Sequence, residues 1–498
     1  MSASPSPETA RDPSSNLMFP ALVTGAFAIL LRLPLISRSE LSGDESVFGL
    51  MAFAIARGEE YPLYCWGAHY ASALISYLSI PFMAWYGPSP FSFRLPTLLY
   101  DAVLAPLVFL SLRRAFDTFN SYLAAMAMAA SLPTMFLLST TAHGGYPETY
   151  CLGFAIWIMC IAASRSLRSR DFLAAGFLMG ASFMILWLGL PFLISGLVLL
   201  LWKRSLHVKG CLSMCAGFMA GSLPFWIYNL SIAPGATFRR LGGRSLDATA
   251  QSNLWDAMMG RVGQVPQWIM ETMLGLSNLF SPCGGLAGAV ILLGLAVWGG
   301  VLLHRQGSEW GILVLSFLVA LLLFNLAGNL TRDRQWTTVA IALVVAVQAF
   351  GKYGARCVLI PLVGVSLYAD VRMIAAFAPH PVVGRAADII LRAGADGLYA
   401  DYDLGYPIGF RLLGRIPVSA TMPPNSSDRR PVWTEQLRRA ERPAVLLPDD
   451  ANTRNWERLL VARNIDFASH DLDSRILFVV YKSLPPDLVP LAPKSPSR

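Results

Sequence analysis

Charge is what this chain has least of. Only 14% of its 498 residues are Asp, Glu, Lys or Arg, against 55% with hydrophobic side chains, so water could not dissolve it as one globule. Cysteine is also sparse. The seven cysteines form no CxxC pair and share no metal-ligand spacing with the six histidines, which argues against zinc ribbons and dithiol redox chemistry. Cys151, Cys160, Cys211, Cys215 and Cys357 fall within or beside apolar stretches, where they read as small packing residues. Cys65 and Cys283 could both face an oxidising side, but sequence alone gives no pairing. No internal repeat is visible, which argues against the inverted-repeat architecture common among transporters. The net charge of +8 does not imply nucleic acid as a partner, because much of the Lys and Arg lies in short loops between apolar segments and sets topology there.

What the chain has is hydrophobic length. Apolar stretches recur from Met18 to about Ala375, each near the length a helix needs to cross about 30 Å of hydrocarbon. The pattern predicts an all-α polytopic membrane bundle in contact with membrane lipids. About eleven spans are expected, near 18–36, 93–112, 121–139, 149–163, 172–186, 189–202, 210–229, 285–303, 310–327, 336–350 and 356–374. Residues 1–16 are rich in Ser and Pro and read as a disordered tail. Residues 18–36 are too long for a secretory signal and contain Arg32, so they read as a retained first helix.

Charge then orients the bundle. Arg113 and Arg114, Arg165, Arg168 and Arg170, Lys203, Arg204 and Lys209, Arg305, and Lys352 and Arg356 all fall on one side, which the positive-inside rule makes cytoplasmic. The N-terminus is then inside, and the loop 37–92 and everything after about 376 are outside, as expected for a multi-pass protein of a plasma (inner) membrane. This scheme needs residues 71–85 to lie in or near the interface, because as a span they would put Arg113 and Arg114 outside. Residues 376–498 alternate Pro-punctuated polar stretches with short apolar runs at 397–399, 444–447 and 476–480. Helix-like segments intervene at 385–392, 433–441 and 455–463, which predicts a small extracytoplasmic α/β domain beside the 17–375 membrane domain.

Two acidic loops fall on the outer face. The first is Leu41-Ser42-Gly43-Asp44-Glu45-Ser46, at the mouth of the first span and followed by a helix-like run over 46–57. Carboxylates at this depth usually have a reason. They could instead belong to a solvated cap, with Asp44 as N-cap or Glu45 favoured by the helix dipole. The second is Thr141-Ala142-His143-Gly144-Gly145-Tyr146-Pro147-Glu148, where two glycines and Pro147 would shape a tight turn presenting Tyr146 and Glu148. The bland alternative is an ordinary interhelical turn in which Glu148 starts the next helix.

Cations appear on the same side at Arg239, Arg240, Arg244, Arg332 and Arg334, against the topological bias. A guanidinium grips phosphate with two charge-assisted hydrogen bonds and never loses its proton. Lipid headgroup contact, or an ion pair such as Arg332 with Asp333, would also account for them. His69 and His143 could be ligands or proton carriers, though lone histidines near interfaces more often simply hydrogen-bond. Gly176 with Gly180, and Gly217 with Gly221, have the spacing of helix-packing pairs. The run from Tyr399 to Tyr406 is aromatic and acidic, and could meet a sugar or be a turn with packing tyrosines.

Together, Gly43-Asp44-Glu45, Ala56-Arg57-Gly58, the stretch Tyr61 to Tyr70, and Tyr86-Gly87-Pro88-Ser89-Pro90-Phe91-Ser92-Phe93-Arg94-Leu95-Pro96 resemble the first extracytoplasmic loop of GT-C-fold glycosyltransferases. The run is most similar to the branch containing dolichyl-phosphate-mannose protein mannosyltransferases, bacterial aminoarabinose–lipid A transferases and lipopolysaccharide-core galacturonosyltransferases. A weaker match continues through Gly221-Ser222-Leu223-Pro224 and Tyr228-Asn229.

The resemblance implies juxtamembrane helices in the first loop and a polyprenyl-phosphate sugar donor. It implies that Asp44 is the catalytic base or a metal-binding companion, with Glu45 beside it. Glu148 corresponds to the carboxylate after the third span, where some relatives place an Asp. Asp44 and Glu148 would hold a divalent cation if one is used. Tyr61, His69, Tyr70, His143 and Tyr146 are the candidates for contact with sugar or acceptor, and the acceptor could be a glycolipid, a cell-wall polymer or a protein. Two rival readings are a transporter or flippase for a lipid-linked sugar, and a catalytically inactive relative.

Overall fold

The structure is a computed structural model that describes residues 18–239, 282–327, 333–376, 381–422 and 428–489. Its helices run α1 Met18–Arg38, α2 Gly43–Ala56, α3 Leu74–Tyr86, α4 Pro90–Leu112, α5 Thr118–Ala130 and α6 Pro133–Thr140. They continue as α7 Tyr146–Ser166, α8 Ser169–Ile185, α9 Leu190–Trp202, α10 Val208–Ile227, α11 Pro282–Arg305, α12 Glu309–Ala327, α13 Val339–Ala346 and α14 Gly351–Ala376. Every expected span falls on helical elements. Among the described residues six helices are long and apolar enough to cross a membrane, or seven if α5 and α6 count as one span bent by 66°. The bend falls at Ser131-Leu132-Pro133, where Ser131 takes φ 63° and Pro133 cannot donate to a continuing helix.

α3 has 13 residues, about 20 Å of helix, well short of about 30 Å of hydrocarbon. It ends at Gly87, whose φ of 78° suits glycine, and Ser89 then caps α4 with Pro90 in its first turn. The Gly-Pro-Ser-Pro run is therefore a helix stop followed by a helix start. At the other end of the bundle Arg165 and Lys203 both pair with Glu309, at 3.0 and 3.3 Å, so three loops rich in cations meet there. The two small-residue pairs lock α8 to α10. A Cβ on Gly176 would sit 2.0 Å from the Met214 carbonyl oxygen, and one on Gly217 2.1 Å from that of Leu173.

After α14 the chain forms α15 Pro381–Ala393, β1 Gly397–Asp401, α16 Tyr402–Arg411, β2 Val418–Met422, α17 Pro431–Leu437, β3 Pro443–Pro448, α18 Ala451–Ala462, β4 Phe467–Asp471 and β5 Arg475–Val480. The sheet order is β2-β1-β3-β5-β4, with β1 parallel to β2 and β3, and β5 antiparallel to β3 and β4. Alternate residues serve opposite faces, as strand geometry requires. Leu398, Ala420, Leu446 and Val479 pack toward α15 and α16, while Tyr399, Val445 and Phe478 pack with Leu460 of α18.

The first of these cores does not stop at the sheet. It continues through α16 into α2, where Phe410 stacks on Phe53 at 5.2 Å and lies over Gly49. Burying such a ring contributes about 1.5–3 kcal/mol. α2 is accordingly buried almost all round and belongs to both halves of the molecule.

Candidate functional site

The α2 N-terminus is built by its own first turn. Ser42, rather than Asp44, is the N-cap, and Glu45 at the third helical position returns a hydrogen bond to the Ser42 N–H in a capping box. Glu45 does more than cap. Its carboxylate accepts from Arg94 Nε at 2.6 Å and Nη2 at 2.8 Å, and from the Ala142 N–H at 2.9 Å. Arg94 spends its other donors on the Ser39 and Glu40 carbonyls at 2.9 and 2.8 Å. Both side chains are 1% exposed. Burial alone would raise the Glu45 pKa, but the charge and hydrogen bonds of Arg94 overcome it and bring it down to about 2. The two ends of the first-loop motif, Gly43-Asp44-Glu45 and Phe93-Arg94, thus meet in one buried ion pair.

With Glu45 turned inward, its neighbour faces outward. Asp44 keeps 34% of its side chain exposed, and its Oδ1 accepts from the Tyr402 hydroxyl at 2.6 Å and from Arg429 Nη2 at 3.4 Å. Arg429 also donates through Nε to the Tyr402 hydroxyl at 3.3 Å, and its backbone N–H donates to the Tyr406 hydroxyl at 2.8 Å. Gly43 lets the helices close, since a Cβ there would stand 2.7 Å from the Tyr402 ring. Burial and the negative charge of Asp44 both push the Tyr402 hydroxyl well above its usual pKa, so it stays a donor. Burial would lower the pKa of Arg429, but Tyr402, Cys65 and Asp44 outweigh it and hold the guanidinium charged.

The second acidic loop packs on α2 through Ala142, through His143, whose Nε2 lies 3.4 Å from Ser42 Oγ, and through Gly144 against Phe48. His143 Nδ1 is 2.6 Å from Thr141 Oγ1. Glu148 lies in the first turn of α7, 2% exposed beside Tyr100 of α4, and its Oε2 has no hydrogen-bond partner among the described residues. The two acidic loops touch, but the carboxylates of Asp44 and Glu148 share no hydrogen bond among the described residues.

His69 Nδ1 lies 2.6 Å from the Tyr228 hydroxyl, and the His69 carbonyl accepts from Thr237, which ties the first loop to the segment after α10. Tyr61 is exposed, whereas Tyr70 and Tyr146 are half-buried against the bundle core. Arg239 is exposed on that same segment. Arg240, Arg244 and Arg332 fall outside the described residues, as does the side chain of Arg334. Cys65 is a buried free thiol whose pKa burial pushes up to about 12, and Cys283 has no described side chain.

Among the described residues no three His, Cys, Asp or Glu side chains gather, and the charge facing Asp44 Oδ1 is the Arg429 guanidinium. The residues that sequence reasoning missed are Tyr402, Tyr406 and Arg429. The aromatic run at 399–406 stood out, but the packing reading fits only part of it, since Tyr402 reaches Asp44. Nothing in the local sequence marks Arg429.

Residues 71–228 match the family model described as Dolichyl-phosphate-mannose-protein mannosyltransferase. No curated protein matches the sequence. Among solved structures, the apo form of the Archaeoglobus fulgidus oligosaccharyltransferase superposes with a TM-score of 0.54 at 12% identity, covering 90% of this chain and 71% of that one. AglB from the same organism, in complex with an inhibitory peptide and a dolichol-phosphate, gives 0.51 at 11% identity, covering 93% and 74%. ArnT from Cupriavidus metallidurans bound to undecaprenyl phosphate gives 0.49 at 15% identity, covering 96% and 100%. The described helices and the short α3 thus build a chain with the GT-C fold.

Proposed function

We propose that this chain is an inverting glycosyltransferase that moves a sugar from a polyprenyl-phosphate donor to an acceptor at the extracytoplasmic face of a plasma membrane. The observation that carries the reading is Asp44, a partly exposed carboxylate held at the start of α2 by Tyr402 and Arg429. Beside it Glu45 is wholly engaged by Arg94, which leaves Asp44 as the carboxylate able to take a proton.

In the proposed step Asp44 accepts the proton of an acceptor hydroxyl or amine. The acceptor heteroatom bonds to the anomeric carbon as the bond from that carbon to the phosphate oxygen breaks. The polyprenyl phosphate leaves with the electron pair, and a single displacement inverts the carbon. Arg239, Arg240, Arg244, Arg332 and Arg334 are the proposed partners of the departing phosphate, whose negative charge they would stabilise. Tyr61, His69, Tyr70, His143 and Tyr146 are proposed to line the approach of sugar or acceptor. Glu45 is assigned as a positioning residue rather than a base, and Glu148 as a buried neighbour of the second loop. The acceptor class is a glycolipid, a cell-wall polymer or a protein.

The test is Asp44→Asn, assayed for sugar transfer from a polyprenyl-phosphate sugar in reconstituted membranes. Removing a general base costs about 10²–10⁴-fold in rate. Full activity in a folded D44N protein would overturn the assignment.

A further inference from the structure

The bundle carries a lined groove at the end away from Asp44. α1 separates this end from Asp44 by 21 residues, or about 30 Å of helix. The cavity is an open groove of about 580 Å³ between the start of α1, the end of α4, the start of α5 and the start of α14. One side is apolar, formed by Phe19, Val23, Phe109 and the Tyr122 ring. The other side is charged, formed by Lys352, Arg356 and Asp117.

The charged side is ordered around Arg356. Its guanidinium lies 4.7 Å from the Phe119 ring centroid, donates to Asn120 Oδ1 at 3.2 Å, and pairs with Asp117 at 3.4 Å. Asn120 in turn donates to the Lys352 carbonyl at 3.2 Å, which fixes the backbone of that residue. The Lys352 side chain is exposed and makes no ion pair or hydrogen bond among the described residues. Two cations against one carboxylate leave the rim one positive charge in excess.

We infer that this cavity binds an anionic glycerophospholipid, with its phosphate at Lys352 and Arg356 and the start of an acyl chain along Phe19, Val23 and Phe109. The lining selects that occupant. α1 and α4 both have the length and apolarity of membrane spans, so the cavity opens where hydrocarbon meets headgroups. Free phosphate would leave the aromatic wall wetted, and a zwitterionic lipid would bring its own cation against Lys352. A basic rim over an apolar wall between helices is the chemistry that recognises a negative headgroup.

The experiment titrates the full-length protein in neutral detergent with phosphatidylglycerol, phosphatidylcholine and inorganic phosphate in parallel, reading bound lipid by native mass spectrometry. Phosphatidylglycerol is expected to bind about fivefold or more tighter than phosphatidylcholine, with that preference lost in Lys352→Glu. The control is Lys209→Glu, an exposed cation on the first turn of α10, which should leave the preference intact. Arg356→Lys keeps the charge but not the fork and should weaken binding less than Lys352→Glu. Equal affinity for the two lipids, competition by inorganic phosphate at lipid-like concentrations, or an equal loss in K209E would each overturn the inference.

Discussion

The Tyr402 hydroxyl donates to Asp44 Oδ1 at 2.6 Å, joining two residues 358 positions apart. The bond couples the sheet-bearing C-terminal part to the mouth of the first span. Tyr402→Phe keeps the ring that packs over Gly43 and removes only the donor. Hydrogen bonds to charged groups are worth up to about 1.5–3 kcal/mol of stability, so Y402F should lower the melting temperature modestly, and transfer from a polyprenyl-phosphate sugar should fall as Asp44 loses the bond that positions it. Unchanged transfer in a folded Y402F protein would separate Tyr402 from the chemistry.

Glu45 gives the molecule an acid-sensitive joint. Its folded-state pKa of about 2 lies below the ordinary 4.5, so its contribution to stability is fully present above about pH 4.5 and is lost as the pH falls toward 2. Glu45→Gln leaves Arg94 buried without its counter-charge, which costs about 3–5 kcal/mol at neutral pH. The melting temperatures of wild type and E45Q should therefore differ most near pH 7 and converge as the pH falls from about 4.5 toward 2. Thermal unfolding measured across that range checks it, and a constant gap would show that the pair is not what titrates.

The membrane bundle was legible because hydrophobic length is a local property, and each expected span proved helical. The bend inside one expected span was not, since α5 breaks at Ser131 before Pro133. Asp44 and Glu45 look alike in sequence. What separates them is Arg94, 49 positions later, and Tyr402 and Arg429, 358 and 385 positions later. Such long-range partners leave no local periodicity to read. The short runs at 397–399, 444–447 and 476–480 became β1, β3 and β5, whereas β2, β4 and α16 had too little apolar pattern to stand out.

The α8–α10 contact depends on the absence of side chains. Gly217 approaches the Leu173 carbonyl, and Gly221 that of Phe177, so closely that a Cβ would stand 2.1 and 2.2 Å from each oxygen. These neighbours are backbone and cannot swing aside. Gly217→Val should cost at least about 1–3 kcal/mol through overpacking, with lower yield and earlier thermal aggregation. Gly294 has open space around its Cβ position and is the matched control, since G294V should leave both readouts near wild type.

Arg32 is the side chain whose removal should be hardest to tolerate and easiest to compensate. It is fully buried in α1, where Nε pairs with Asp101 of α4 at 2.7 Å and Nη1 donates to the Ala129 carbonyl at 2.6 Å. Ser131 and Ser139 accept from its remaining donors at 3.1–3.2 Å, so the guanidinium gathers the bend between α5 and α6. Removing one partner strands the other in an apolar setting. Arg32→Met alone and Asp101→Leu alone should each cost about 3–5 kcal/mol, because each leaves a buried charge without its counterpart. The double variant removes both charges and should cost less than either single change, giving a coupling energy of about 3 kcal/mol or more in a double-mutant cycle. Thermal unfolding of the four proteins in one detergent provides the measurement. Additive losses would show that Arg32 acts through its bonds to Ala129, Ser131 and Ser139 alone, and that the ion pair with Asp101 contributes nothing to holding α1 against α4.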